Sequence, residues 1–330
     1  MGMNFDGLFS SFSNIKVAVV GDVMLDTYWW GKVDRISPEA PVPVVAVAEK
    51  EYRIGGAGNV ALNVQSLGAK VSMISVVGND DDGKTLSKLL QDKSIDTRYL
   101  VQSDTRITTN KIRIISRNQH MMRLDAEHTN DLDVKEEAAL LSAFENYINA
   151  EAPQVVILED YNKGVLTENI ITRVIALCRE KHIISTVDPK RKNFFAYKGV
   201  DIFKPNLKEV REGLNIITED LDTAALKNIH RLLAEQLQHR ISFITLSEKG
   251  VFFQEGNTAS LIPTHIRNIA DVSGAGDTVI AVASLVYAAT KDNTLMAEMA
   301  NIAGGLVCEE VGTVAIDKEK LLAECKLLLK

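Results

Sequence analysis

Six short runs rich in β-branched and apolar residues, at 15–20, 71–77, 154–158, 183–187, 201–203 and 241–246, set the frame for everything else in the chain. Most are separated by stretches whose apolar residues recur every three or four positions, at 58–67, 134–149, 168–181, 223–238, 275–289 and 295–310. Apolar runs of this length read as strands buried on both faces, and the intervening period as amphipathic helices. Strand alternating with helix requires a doubly wound, mostly parallel α/β sheet flanked by helices. Residues 42–47 and 106–124 break the rhythm, because β-branched and polar residues alternate there with no helix between them. They are expected to form a small β-sheet lid from insertions at about 25–53 and 98–124, within one domain covering 1–330.

Composition narrows the partners. A hydrophobic share of 46% over 330 residues is ample for a large core, and the charged fraction of 25% is ordinary for a globular chain. The net charge of -7 disfavours nucleic acid and anionic membrane surfaces, so any phosphate must be met by local groups. Cys178, Cys308 and Cys325 lie far apart with no CxxC spacing, which argues against a zinc cluster or a disulfide framework. The first residues lack the order of a signal peptide and the apolar runs are too short or interrupted to span a bilayer, so a cytoplasmic setting is expected.

The run Asp271-Val-Ser-Gly-Ala-Gly-Asp277-Thr278 leads into a strongly apolar helical stretch. Free amides at a helix N-terminus favour anionic oxygen, so Gly274, Ala275 and Gly276 suit a transferring phosphoryl group. Asp277, in the first turn, suits the base that deprotonates an attacking hydroxyl. The same residues also suit a plain helix start, where aspartate is favoured as cap or dipole partner. No G-x-x-x-x-G-K-[ST] run occurs, and the set of protein-kinase signatures is missing.

A second glycine run, Gly55-Gly-Ala-Gly58-Asn59, precedes another apolar helix. It lacks both the spacing and the buried strand of a dinucleotide site. Sugar binding fits better, since Gly55 and Gly56 allow backbone approach and Asn59 both donates and accepts; a glycine turn is the plain alternative. Asp22 and Asp26 near the end of the first strand suit sugar hydroxyls or, equally, a turn. Glu159, Asp160 and Asp188 are ligand candidates by their position after strands, and Lys163 and Lys190 are candidates for a substrate phosphate. Asn206-x-x-Glu209 has the spacing of a capping box, or of a nucleotide site in which Glu209 holds magnesium through water. Thr245-Leu-Ser247-Glu-Lys249-Gly250 follows a strand and either lines the nucleotide or simply turns the chain.

In this order and at opposite ends of the chain, the two glycine loops resemble the paired signatures of the ribokinase, or PfkB, carbohydrate kinases, with Asn206-Leu-Lys-Glu209 matching the motif between them. The resemblance implies an ATP- and magnesium-dependent sugar kinase with Asp277 as base and residues 274–276 as anion hole. It places Asn206, Glu209, Thr245, Ser247, Lys249, Gly250 and Asn301 at the nucleotide, and Asp22, Asp26, Gly55, Gly56 and Asn59 at the sugar. It also puts Asp271 and Ser273 near a potassium ion and implies a homodimer clasped through the lid.

Further runs, Gly21-Asp-Val-Met-Leu-Asp26, Arg35-Ile-Ser-Pro-Glu-Ala-Pro-Val-Pro-Val44, Met122-Arg-Leu-Asp125, Asp160-Tyr-Asn-Lys-Gly164 and Asp188-Pro-Lys190, are similar to the kinase domain of the bacterial heptose kinase/adenylyltransferases. That likeness implies phosphorylation of D-glycero-β-D-manno-heptose 7-phosphate at C1, on the route to ADP-heptose and lipopolysaccharide. It implies no nucleotidyltransferase domain here, with a separate adenylyltransferase acting downstream. Arg191 departs from the glycine usual after the lysine in that family. The alternatives are a kinase for another sugar or phosphosugar, of fructose-1-phosphate-kinase or ribokinase type, or a non-catalytic sugar- or nucleotide-binding regulator; a nicotinamide-dependent oxidoreductase is more distant.

Overall fold

The computed structural model describes residues 3–117, 119–216, 222–265 and 267–329. Its strands are β1 (Lys16–Gly21), β2 (Val23–Ile36), β3 (Pro43–Gly56), β4 (Lys70–Gly78), β5 (Leu100–Ser103), β6 (Asn110–Ser116), β7 (Gln119–Ala126), β8 (Val155–Glu159), β9 (Ile184–Asp188), β10 (Ile202–Phe203), β11 (Ile241–Thr245), β12 (Val251–Glu255) and β13 (Thr258–Ile262). Its helices are α1 (Phe5–Ser11), α2 (Ala57–Ser66), α3 (Asp81–Asp92), α4 (Val134–Glu151), α5 (Glu168–Glu180), α6 (Leu207–Leu214), α7 (Thr223–Leu237), α8 (Ala275–Thr290), α9 (Asn293–Val307) and α10 (Lys318–Leu328).

Nine strands make one sheet in the order β13-β12-β11-β10-β9-β8-β1-β4-β5, parallel except for the terminal β11-β12-β13 meander. Alternation along the central strands sends Val17, Val19, Val155 and Ile157 to a core shared with α1, α2, α8, α9 and α10. Ala18, Val20, Val156 and Leu158 go to a second core under α4, α5 and α7. From β1 the chain winds to β4 and β5 on one side, then returns to β8 and builds outward on the other. Strand order therefore reverses between β1 and β8, and a crevice opens there at the carboxyl ends of the strands. Asp22, Glu159, Asp160 and Asp188 all lie at those ends.

Four strands, β3-β2-β6-β7, form a separate small sheet. The lid expectation of 98–124 is corrected at its start: β5 pairs in parallel with β4, Ser75 opposite Leu100, and so extends the large sheet. Its Ser103 is buried and tied to Glu136 of α4, which fixes that segment to the body. The hairpin of β12 and β13 also goes beyond a simple turn after β11, because Phe252 and Phe253 are both buried, one against each core.

The two glycine loops are brought together by packing between α2 and α8. Asn63 of α2 is wholly buried; its Oδ1 accepts from Thr278 Oγ1 at 3.0 Å and from the Ile316 amide at 2.9 Å, and its Nδ2 donates to the Asn59 carbonyl at 2.8 Å. Removing this side chain leaves buried donors without acceptors. Asn63→Ala is expected to lose about 2–4 kcal/mol of unfolding free energy in urea titrations. A loss below about 0.5 kcal/mol would show that the helices are held by apolar packing alone.

Candidate active site

Gly274 caps α8 in the left-handed region, at φ 80° and ψ 0°. A β-carbon there would press on Thr313 Cγ2 at 2.7 Å and on Asn59 Nδ2 at 2.9 Å, so glycine is required for both its conformation and its neighbours. Intrahelical bonding begins with the Thr278 amide on the Gly274 carbonyl at 3.0 Å, while the Ala275 amide turns back to Val272 at 3.3 Å. Among the described residues the Gly274, Gly276 and Asp277 amides have no backbone acceptor, which leaves free donors at this turn.

Asp277 is 4% exposed and held at both oxygens. Asn59 Nδ2 donates to Oδ2 and the Tyr161 hydroxyl donates to Oδ1, each at 2.7 Å. Burial pushes its carboxyl up to about 6, and the Asp188 charge adds to the effect; Asn59, Tyr161 and Lys204 oppose it. The result is a carboxylate at a helix N-terminus, oriented by two donors and basic enough to take a proton near neutrality.

Beneath this turn runs a row across the sheet. Gly21 of β1, Glu159 of β8 and Asp188 of β9 are in register, and Lys204 follows Phe203, which pairs with Val187. All four sit on the α8 side, as Thr186 shows by bonding Ser284 of α8. Lys204 is 2% exposed and its Nζ meets Asp188 Oδ2 at 2.7 Å. A β-carbon on Gly276 would lie 3.5 Å from Asp188 Oδ2 and 3.7 Å from Lys204 Nζ, so the ion pair floors this turn. Lys190 Nζ meets Asp188 at 3.2 Å and Glu209 at 2.8 Å. Despite burial, the two lysines hold the Asp188 carboxyl below its ordinary value. Glu159 is wholly buried with no hydrogen-bond partner on either oxygen among the described residues, and burial together with Asp188 and Asp277 drives its carboxyl strongly upward.

Asp22 accepts the backbone amides of Tyr161 (2.8 Å), Lys163 (3.1 Å) and Val165 (2.9 Å), and so sets the loop that aims Tyr161 at Asp277. Burial raises its carboxyl against the pull of those three amides. Asp26 is bound to Arg113 on the small sheet. Gly55 and Gly56 end β3 opposite Met24 and Val23, and Gly56 enters α2 at φ 57°. Lys163 pairs with Glu127 at 2.6 Å.

On the other flank, Asn206 and Glu209 form a reciprocal capping box at α6, with Lys190 on the free side of Glu209. Asn206 bridges to Thr245, and the turn 247–250 closes with the Gly250 amide on the Ser247 carbonyl at 3.1 Å. Gly250, at φ 95°, packs on the Ile262 carbonyl and the Pro263–Thr264 backbone; Asn301 of α9 donates to the Pro263 carbonyl at 2.9 Å. Ser247 and Lys249 are exposed on that turn. Asp271 and Ser273 bond each other, and Asp271 also accepts the Gly312 amide at 2.9 Å. Burial alone would raise the Asp271 carboxyl, but the Ser273 and Gly312 donors hold it below its ordinary value.

Lys204, Tyr161, Asn63 and the unpartnered state of Glu159 escaped the sequence reading. A lysine directly after a buried strand was the available sign for Lys204; nothing local marks Tyr161, whose partner is 116 positions away. Two grooves of about 380 and 580 Å³ lie elsewhere, around Tyr147 and around Phe195, and hold none of these residues. Among the described residues no helix is long and apolar enough to cross a membrane.

The folded-state carboxyl of Asp277, near 6 against an ordinary 3.8, favours folding below about pH 4 and loses that favour as pH rises through 6. Ionised Asp277 then costs on the order of 3 kcal/mol. Asp277→Asn should gain stability relative to the parent between about pH 4 and pH 8 in denaturant titrations. A difference independent of pH would show that the carboxylate is not held against its ordinary ionisation.

The model of the pfkB family of carbohydrate kinases matches residues 14–320. The bifunctional protein HldE of Geobacter sulfurreducens is 38% identical over 322 residues, covering 97% of this chain and 64% of that protein. The bifunctional protein HldE of Coxiella burnetii is 39% identical over 314 residues, again covering 64% of its length. The chain thus spans slightly under two thirds of these relatives. Among solved structures, phosphofructokinase-2 from Escherichia coli in complex with potassium superposes with a TM-score of 0.77 at 18% identity, covering 94% of this chain and 99% of that one. Arabidopsis thaliana ribokinase complexed with ribose and ATP gives 0.70 at 17% identity, covering 93% and 98%. These two likenesses establish the ribokinase-like fold.

Proposed function

Because the chain belongs to the pfkB family of carbohydrate kinases, we propose that it transfers the γ-phosphoryl group of ATP to the anomeric oxygen of D-glycero-β-D-manno-heptose 7-phosphate, giving the 1,7-bisphosphate used for ADP-heptose. The observation that carries the chemistry is the buried Asp277 carboxylate, fixed by Asn59 and Tyr161 at the mouth of α8. Identity of 36–39% to the HldE proteins favours the heptose.

In this reading the sugar lies between the glycine loop at Asn59 and the small sheet, with its C1 hydroxyl on Asp277. Asp277 takes the proton as the sugar oxygen bonds to the γ-phosphorus, and the bond from that phosphorus to the β–γ bridging oxygen breaks to release ADP. The Gly276 and Asp277 amides and the α8 dipole stabilise the charge that develops on the transferring group. Asp22 acts one step back, as the residue that positions Tyr161.

Asn206, Thr245, Ser247, Lys249, Gly250 and Asn301 are assigned to the nucleotide. A magnesium ion would be held beside Glu209, whose Oε1 has Lys190 as its one partner among the described residues; the ion would neutralise phosphate charge there. Asp271 and Ser273 satisfy each other, and no step here runs through potassium. The reading is of one kinase domain over 1–330 in the cytoplasm, where ATP is supplied; adenylyl transfer to the product would be a separate step.

A coupled ADP-release assay with heptose 7-phosphate, fructose 6-phosphate and ribose, followed by NMR of the product, tests the assignment. The expected outcome is selective turnover of the heptose at C1, with an acid limb near pH 6, and a loss of about 10²–10⁴-fold in kcat for Asp277→Asn with nucleotide binding retained. Phosphorylation of another sugar would replace the heptose assignment; ligand binding without ADP release would replace the kinase reading with a regulator.

The outer face of the small sheet carries Tyr52, Met122 and Leu124, all more than 40% exposed. An apolar sheet face of this kind calls for a cover, and we assign a second copy of the chain. Light scattering should give a dimer that Met122→Lys with Leu124→Glu converts to a monomer; a monomeric parent overturns the assignment.

A further inference from the structure

The inner face of the small sheet carries a row of charges, one from each strand: Arg53 of β3, Asp26 of β2, Lys111 of β6 and Asp125 of β7 are mutual cross-strand partners. Three of the four are neutralised by a residue two places along a strand on the same face. Arg53 bonds Glu51, Asp26 bonds Arg113, and Asp125 bonds Arg123. Lys111 makes no ion pair among the described residues. Its Nζ instead lies over the Tyr161 ring, 5.5 Å from the centroid, on the same tyrosine whose hydroxyl donates to Asp277.

The other cations around the crevice are committed. Lys163 is held by Glu127, and Lys190 by Asp188 and Glu209. Arg106 donates to the carbonyls of His128, Asn130 and Lys163. Burial lowers the affinity of the Lys111 ammonium for a proton, and Lys163 and Arg113 add to this against the opposing pull of Asp26 and Asp125, whose carboxylates are already bonded to Arg113 and Arg123. No carboxylate among the described residues comes within ion-pair distance of this ammonium, so an incoming anion finds it without a direct partner. It stands one aromatic ring away from the catalytic carboxylate, over a ring that the committed Lys190 also approaches at 5.6 Å.

We propose that Lys111 is the specificity-determining residue that receives the terminal phosphate of the sugar while its far hydroxyl lies on Asp277. The proposal rests on the sugar-kinase reading and deepens it, by moving the contact with the substrate phosphate from Lys163 and Lys190 to Lys111. Because Lys111 gives up no protein partner to bind phosphate, the contact is made without breaking an existing ion pair, unlike one through Lys163 or Lys190.

The test compares the parent, Lys111→Met and Lys111→Arg on heptose 7-phosphate and on the same heptose without phosphate, with thermal melts as a check that each variant folds. Lys111→Met is expected to raise KM for the phosphosugar about 10- to 100-fold while leaving KM for ATP and for the unphosphorylated sugar unchanged, and Lys111→Arg to restore most of the loss. An unchanged phosphosugar KM, or an equal loss on both sugars, overturns the proposal. If the parent turns over neither heptose, the heptose reading falls by itself. Calorimetry with fructose 6-phosphate and inorganic phosphate then decides: binding that Lys111→Met abolishes supports the phosphate contact, and no binding to the parent, or binding indifferent to the substitution, overturns it.

Discussion

The pair of hydrogen bonds that closes on Asp277 is the interaction on which the site depends. One arrives from α2 through Asn59 and the other from the loop after β8 through Tyr161. Neither donor is near Asp277 in sequence, so the carboxylate is aimed only when α2, α8 and the β1–β8 crevice are all in place. Asp22 holds the tyrosine loop by three amides, and Asn63 locks α2 to α8. The polar interior between these elements is thus a chain of supports that ends on one oxygen pair.

Charge is concentrated under that pair at a cost to stability. Glu159 is buried with both oxygens unpartnered among the described residues, and a group in that state destabilises a fold by about 1–3 kcal/mol. Lys204 and Asp188 are almost fully buried, and their mutual attraction offsets a large desolvation penalty without making the pair an efficient source of stability. Apolar residues would serve the core better in this layer. What the charges supply is a fixed field beneath the Gly276 turn; in the proposed kinase reading it acts where negative charge develops, with no solvent to reorganise.

The body of the fold was legible because buried parallel strands and amphipathic helices leave local patterns. The six predicted runs became β1, β4, β8, β9, β10 and β11, and the six predicted helices became α2, α4, α5, α7, α8 and α9, with ends shifted by a few residues. Less regular pieces were not legible in this way. Leu100–Ser103 falls inside the expected lid insertion of about 98–124, yet it joins the large sheet because Ser75–Gly78 offers it an open parallel edge. The hairpin of β12 and β13 is too short and too mixed in polarity to announce itself before its partner strand is known.

By itself the sequence determined the doubly wound architecture, the two glycine entries to helices, and the aspartate at the start of α8. These depend on short-range properties: side-chain period, φ above zero, and free amides in a first turn. Only the tertiary structure decided what each polar residue does. It made Asp22 a holder of backbone amides, tied Lys163 and Lys190 to carboxylates, set Lys204 beneath the Gly276 turn, and left Lys111 without an ion-pair partner among the described residues, beside Tyr161. Pairing between charges is settled by which strands lie side by side and in what register, and a linear pattern does not carry that information.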